Sequence, residues 1–192
     1  MVQGSYTLEP FGKGCAKVIV PTAYLAPASY FKAILSGDYT VEQMETFEKQ
    51  TFRNRCLIRN PQGGMIRLSV PVGKVEHKQL TRDIRICYQS NWQHQHWIAL
   101  ESAYRHKPFF MYYEDYFRPH YERQYEWLLD LNDALTETLL ALLNNHPPGI
   151  TMPAKHTADW SGQTWTDRHP WQNELSIIDL LSEKGPETII CL

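Results

Sequence analysis

Histidine and aromatic side chains are concentrated in residues 91–115 of the chain, NWQHQHWIALESAYRHKPFFMYYED. The stretch lacks the regular apolar spacing of a plain amphipathic helix, which indicates a segment that lines a pocket or groove. A histidine there could act as a general base or acid near neutral pH, with Glu101 to orient it. We predict that this residue is His96, because at helical spacing it shares a stripe with Trp92 and with two alanines that leave space for a ligand.

The same histidines can also be interpreted as hydrogen-bonded structural imidazoles, and the sequence leaves both interpretations open. A metal site is not predicted. His94 and His96 are two residues apart and point away from each other on a helix, so they are poor joint ligands. The sequence contains no HExxH motif, and its four cysteines have none of the spacings of a zinc site.

A second candidate site is the basic segment 49–55, KQTFRNR, which comes just before a predicted hairpin strand. On an extended segment Arg53 and Arg55 project to the same side, and two guanidiniums suit a phosphate or carboxylate that accepts bidentate hydrogen bonds. Lys49 would add a point charge and Asn54 a neutral donor. The alternative is a solvated basic turn with surface ion pairs to nearby glutamates.

A third candidate is the loop 21–31, PTAYLAPASYF, which follows the first predicted strand. Loops at the carboxyl ends of strands form the ligand crevice in open α/β sheets. This loop has no glycine, so it is neither a phosphate-binding P-loop nor a dinucleotide-binding turn. Tyr24 and Tyr30 could either pack in the core or contact a ligand, and the sequence leaves both roles open.

The spacing of apolar residues and the positions of turn-forming residues predict the strands and helices that position these segments. The predicted strands are residues 15–20, 39–47, 56–60, 65–72 and 82–88, with a hairpin turn at Pro61-Gln62-Gly63-Gly64. The predicted helices are residues 30–36, a helix from Trp92 with a break near 107–108, residues 119–145 and residues 175–181, and 149–173 is predicted to be a loop. We therefore expect a single α/β domain with a mixed sheet, a Rossmann-like N-terminal half and a helical C-terminal half.

Composition limits the function classes. The chain has 192 residues, 43% of them apolar, and a net charge of -2, which suits one domain and gives no general attraction to nucleic acid. No apolar run approaches the roughly 18 residues that span a bilayer. The first residues do not resemble a secretory signal, and we expect a cytoplasmic protein with reduced cysteines.

Several segments, in order, resemble the WbqC-like protein family of bacteria: VPTAYLAPASYF, KQTFRNR, LSVPV, NW..QHW..LESAYRHKPFF.YYED and LSIIDLL..KGPE. The resemblance covers residues 16–187 and implies a WbqC-like domain over 15–192 after a flexible segment 1–14. Val20 stands where many members have a histidine. If that histidine is catalytic in them, this protein works differently or has lost the activity. By position, the resemblance highlights Lys49, Asn54, Arg55, Trp92, His96, Ser102, Tyr104 and Pro108.

The resemblance implies a cytoplasmic transferase that acts on a nucleotide-linked or amino sugar in the synthesis of O-antigen-type surface polysaccharide. Transfer of glycine or a similar acyl group has been suggested for the family. His96 would be the base, and the sequence leaves the cofactor unassigned. The predicted substrate-binding residues are Lys49, Arg53, Asn54, Arg55, Trp92, Ser102, Tyr104 and Tyr24. The alternative is a non-catalytic module that binds a phosphorylated ligand or a protein partner, since aromatic enrichment also fits interfaces.

Overall fold

The computed structural model describes residues 18–35, 37–144 and 174–192. The chain begins there with a strand–helix–strand unit made of β1 (Val18–Pro21), α1 (Ala28–Leu35) and β2 (Tyr39–Glu42). The two strands pair in parallel. Valine and isoleucine favour the extended conformation of β1, and proline at its end cannot donate a hydrogen bond that would continue the ladder.

The second strand is shorter than the predicted 39–47. Beyond Glu42 the chain leaves β1 and pairs with a different segment: Phe47 N donates to Gln79 O (2.9 Å), and Thr46 forms an isolated bridge with Leu80. The alternating sequence pattern of residues 39–47 therefore covers two segments that pair with different partners, and only the first of them belongs to β2.

An antiparallel hairpin follows, made of β3 (Arg55–Arg59) and β4 (Met65–Ser69). Its turn contains Gly63 and Gly64, with φ of 103° and 81°. Side chains with a Cβ rarely adopt such angles, which is why the two glycines mark the turn in the sequence. The predicted hairpin is confirmed.

The predicted strand 82–88 is wrong. A short 3₁₀ turn, Thr81–Asp83, begins the segment, and only isolated bridges follow, from Arg85 to Trp127 and from Ile86 to Val72. Ile84 and Ile86, which alternate with Arg85 and Cys87, are both buried, but the segment pairs with two different stretches of chain, so no continuous ladder forms.

The later part of the described chain is helical. Its elements are α2 (Trp92–Tyr104), α3 (Phe110–Glu122), α4 (Leu128–Leu143), α5 (Ile177–Lys184) and a final 3₁₀ segment (Gly185–Cys191). The predicted break near residues 107–108 is confirmed by the end of α2 and the start of α3. The prediction of one helix over 119–145 is wrong, because extended residues that bridge to Arg85 separate α3 from α4.

One apolar core connects the described elements, from Val20 in β1 to Leu181 in α5. Leu128, Leu131 and Leu135 of α4 have no exposed surface, as their helical spacing predicts. The described residues thus form a single mixed α/β domain. Their strands form two separate pairs rather than one mixed sheet, and a Rossmann-like half is not confirmed. Segment 1–14 and loop 149–173 lie outside the described residues.

Candidate functional site

The loop between β1 and α1 is buried, although it has no regular structure. Thr22 to Ala26 each expose 2% of their surface or less. Buried main-chain groups need hydrogen-bond partners, and two other segments supply them. Tyr24 N donates to Phe52 O in the turn before β3, and Ile177 N at the start of α5 donates to Ala26 O, each at 3.0 Å. Three segments that are distant in sequence therefore meet at this loop.

A cleft of about 170 Å³ opens where the three segments meet. The buried loop contributes Tyr24 and Leu25, the turn contributes residues 50–52, and the chain before α5 contributes Glu174 and Ser176. The hairpin completes the lining with Arg55, Cys56, Leu57 and Arg67. Burial raises the pKa of the Cys56 thiol, so it remains protonated at neutral pH.

Strained backbone is concentrated at this cleft. Leu25 and Gln50 have φ of 44° and 69°, in the left-handed region that side chains with a Cβ rarely adopt. Of the described non-glycine residues, only Lys78 shares this feature. Such conformations cost about 1–3 kcal/mol each and are found preferentially at functional sites. Their location supports a functional assignment for the cleft.

Arg55 and Arg67 lie diagonally across one face of the hairpin. Arg55 is opposite Ser69, and Leu57 is opposite Arg67, so alternate residues of both strands face the cleft together. Burial, and then the charge of Arg67, lower the pKa of Arg55. The side chain nevertheless stays charged at physiological pH.

The guanidinium of Arg55 is incompletely paired. Its Nε is buried and has no hydrogen-bond partner. In the part of the chain that the structure describes, no carboxylate forms an ion pair with Arg55 or Arg67. An unsatisfied buried donor costs about 1–3 kcal/mol, and an anion in the cleft would satisfy it.

Arg53 does not line the cleft with Arg55. Residues 51–54 form a turn rather than an extended segment, so the prediction that both guanidiniums project to one side is wrong. Arg53 is buried and binds Glu45 through Nε and Nη2, at 2.7 and 2.5 Å. The neighbouring Asn54 is also buried, and its Nδ2 donates to Val70 O (3.1 Å), which holds the turn to the end of β4.

His96 is buried directly behind Tyr24. Its Nδ1 lies 2.8 Å from the Tyr24 hydroxyl, which is 2.9 Å from the hydroxyl of Tyr121. Burial lowers the pKa of His96 to about 4, and a hydrogen bond to the main chain of Ser69 opposes this shift. A hydrogen bond joins the His96 ring to the Tyr24 hydroxyl, and the ring is neutral at physiological pH.

The remaining predicted residues lie outside the cleft lining. Trp92 is buried edge-on to His96, with ring centroids 5.1 Å apart. Tyr104 is buried, and its hydroxyl accepts from Arg59 N (3.2 Å). Lys49 and Ser102 are exposed. The structure thus brings Tyr24 and Arg55 together, with His96 behind them, and the roles predicted for the other residues stay predictions.

Comparison with models of protein families shows which family the chain belongs to. The model of the WbqC-like protein family matches residues 22–168, about three quarters of the chain. The chain belongs to the WbqC-like protein family. The match begins at the buried loop and includes the turn and the hairpin. Comparisons with curated proteins and with solved structures gave no match.

The sequence resemblance implies that many WbqC-like proteins have a histidine at the position of Val20. Here its side chain is fully buried, in the register of β1 opposite Val41 of β2. It belongs to the apolar core and precedes the buried loop. An aliphatic side chain cannot transfer a proton, so this WbqC-like chain has no acid or base at that position.

Sequence reasoning missed Arg67, Glu174 and Tyr121. The hairpin register could have placed Arg67, because a turn at 60–64 puts Arg67 opposite Leu57 and diagonal to Arg55. Glu174 and Tyr121 reach the site only through tertiary contacts. Ser29 Oγ donates to Glu174 Oε2 (2.5 Å) across 145 residues of sequence, and no local pattern predicts such a contact.

In residues 18–35, 37–144 and 174–192, no group of three or more histidine, cysteine or carboxylate side chains could hold a metal ion. None of the helices described in these ranges is both long enough and apolar enough to cross a bilayer.

Proposed function

We propose that the cleft binds a phosphate-bearing small molecule and that this WbqC-like protein is a transferase that acts on it. The observation that carries the proposal is the buried, unpartnered Nε of Arg55 beside the second guanidinium of Arg67. A phosphate accepts several charge-assisted hydrogen bonds at once and would offset the repulsion between the two cations.

The arginines, rather than a helix terminus, would bind the anion. The first amide groups of α5 are already paired: Ile178 N donates to Ser176 Oγ (3.3 Å), and Asp179 N donates to Ser176 O (3.0 Å). Ser176 N donates to Leu57 O (2.8 Å). Since these donors are occupied, phosphate affinity depends on the two side chains of the hairpin.

The transferase part of the proposal rests on the family. We propose a substrate of the nucleotide-linked or amino-sugar class, used in the cytoplasm for O-antigen-type surface polysaccharide, with an acyl or glycine-type group as the transferred group. The mixed lining suits such a ligand, because the half-buried Leu57 offers apolar surface next to the charged hairpin residues.

His96 has a positioning role in this proposal. Its ring is neutral at physiological pH and does not line the cleft, so Tyr24 separates it from a bound ligand. Holding the Tyr24 hydroxyl fixes the position of the loop that lines the cleft. Direct proton transfer by His96 stays a prediction, and it would require a movement of Tyr24.

The second candidate is a non-catalytic module that binds the same phosphorylated ligand. The burial of His96 favours it, because the predicted base does not line the cleft. Mass spectrometry of the ligand after incubation with the protein and a set of acyl or aminoacyl donors distinguishes the two. A transferred group supports the transferase, whereas a bound and unchanged ligand supports the module.

Ligand discovery by thermal shift tests the shared part of both candidates. We expect phosphate-bearing sugars or nucleotides, and not the neutral sugars, to raise the melting temperature of the wild-type protein. The Arg55→Ala variant should show no such increase. The proposal is contradicted if no phosphate compound in a broad panel stabilises the wild type.

A further inference from the structure

A carboxylate lies in the same cleft as the two arginines. Glu174 is half-buried and lines the cleft just before α5. Its Oε2 accepts from Ser29 Oγ, which comes from the first turn of α1. A serine hydroxyl has one hydrogen, and this one is donated to Glu174, so the carboxylate is the acceptor and is held in a defined orientation.

The carboxylate keeps acceptor capacity for a ligand. An ionised carboxylate offers about four lone-pair sites, and Ser29 uses one of them. Within the described ranges, Glu174 Oε1 makes no hydrogen bond, and neither Arg55 nor Arg67 forms an ion pair with Glu174. The cleft therefore holds unpaired charges of both signs in about 170 Å³.

Separate cationic and anionic groups in one small cleft are complementary to a ligand that has both charges. From this arrangement we infer that the ligand is a small phosphate ester with a protonated primary amine, and that Glu174 binds the amine while Arg55 and Arg67 bind the phosphate. This inference rests on the proposed phosphate site. The carboxylate would also repel a ligand that carries only negative charge, so it contributes to specificity as well as to affinity.

Matched ligand pairs provide the test by isothermal titration calorimetry. Glucosamine 6-phosphate and glucose 6-phosphate differ by an amine in place of one hydroxyl, and phosphoethanolamine and ethyl phosphate form a second pair with a shorter spacing. In at least one pair, we expect the wild type to bind the amine about tenfold more tightly, as for a hydrogen bond between charged groups. N-acetylglucosamine 6-phosphate has no charge on its nitrogen and should lose this advantage.

The Glu174→Gln variant removes the charge and keeps the shape. It should bind both members of a pair with nearly equal affinity, and the amine-free phosphate at least as tightly as the wild type does. Glu122→Gln, at an exposed position of α3, is the matched control and should keep the wild-type preference.

Each outcome bears on a different proposal. Equal affinity of the wild type for both members of each pair, or an amine preference that persists in Glu174→Gln, overturns the role of Glu174 while phosphate binding stands. If no phosphate in either pair binds, the amine inference is overturned, whereas the phosphate site is overturned only when the broad thermal-shift panel also gives no ligand. The wild-type comparison does not depend on the folding of any variant.

Discussion

The side chain of Arg55 lowers the stability of the folded protein and is available to bind an anion. Its buried Nε lacks a partner, and the nearby charge of Arg67 disfavours the guanidinium further. Neither feature helps the protein to fold, and both would be relieved by an anionic ligand. A residue of this kind is expected where stability has been exchanged for function.

Replacing Arg55 with methionine should therefore stabilise the ligand-free protein. Methionine has similar length, no polar group to satisfy, and no charge to repel Arg67. We expect the free energy of unfolding to rise by about 1 kcal/mol, which urea denaturation would measure. The control is Arg82→Met, which removes an exposed guanidinium that pairs with Asp83 (3.6 Å) and should change stability little. A loss of stability in Arg55→Met would mean that the side chain has a structural partner.

His96 makes the stability of the protein depend on pH. Its pKa is about 4 when folded, below the ordinary value of 6.5, so between these values the unfolded chain binds a proton that the folded protein excludes. The stability that His96 contributes is complete above pH 6.5 and falls as the pH drops toward 4, by about 3 kcal/mol over the interval.

Urea denaturation of the wild type and His96→Gln between pH 4.5 and 7.5 measures this contribution. The variant cannot titrate at this position, so its stability should depend less steeply on pH. The carboxylates and His120, whose pKa is also lowered by burial, affect both proteins and cancel in the difference. Parallel pH profiles for the two proteins would show that His96 is not held neutral by burial.

At the scale of elements, sequence patterns locate the hairpin and the helices well. The glycine pair predicts the turn, the aromatic stretch breaks next to Pro108, and the leucine period identifies the buried face of α4. The prediction fails where tertiary pairing overrides local alternation. Ile84 and Ile86 alternate as in a strand, but their segment bridges to two separate partners. The alternation of apolar residues indicates correctly which side chains are buried. It does not specify which segment of main chain is available for pairing.

The end of α5 provides an element-scale prediction. Gly185 has φ of 59°, and a Cβ at this position would lie 2.5 Å from the ring of Phe109. Gly185→Ala adds backbone strain to a steric clash, and we expect it to destabilise the protein by about 2–3 kcal/mol in urea denaturation. Gly73→Ala is the matched control, since its Cβ would be 3.7 Å from Arg85 O, an ordinary contact. Equal effects of the two substitutions would contradict the prediction.

At the scale of the whole molecule, the cleft is a product of long-range assembly. The buried loop after β1 receives hydrogen bonds from the turn before β3 and from the start of α5, and its Tyr24 contacts a histidine 72 residues away. The residue types of the site were therefore partly predictable from sequence, as Tyr24 and Arg55 illustrate. The neighbouring Glu174 and Tyr121 were not predictable, because they reach the site through tertiary contacts that the local spacing of residues does not indicate.

The phosphate site that we propose for this WbqC-like protein consists of Arg55 and Arg67. Its most direct test is calorimetric titration of the wild type, Arg55→Ala, Arg67→Ala and Arg82→Ala with the phosphate ligand that gives the largest thermal shift. We predict that each cleft variant binds at least about tenfold more weakly, as expected for the loss of a charged hydrogen-bond donor, whereas Arg82→Ala binds like the wild type. Unchanged affinity in both cleft variants would contradict the account.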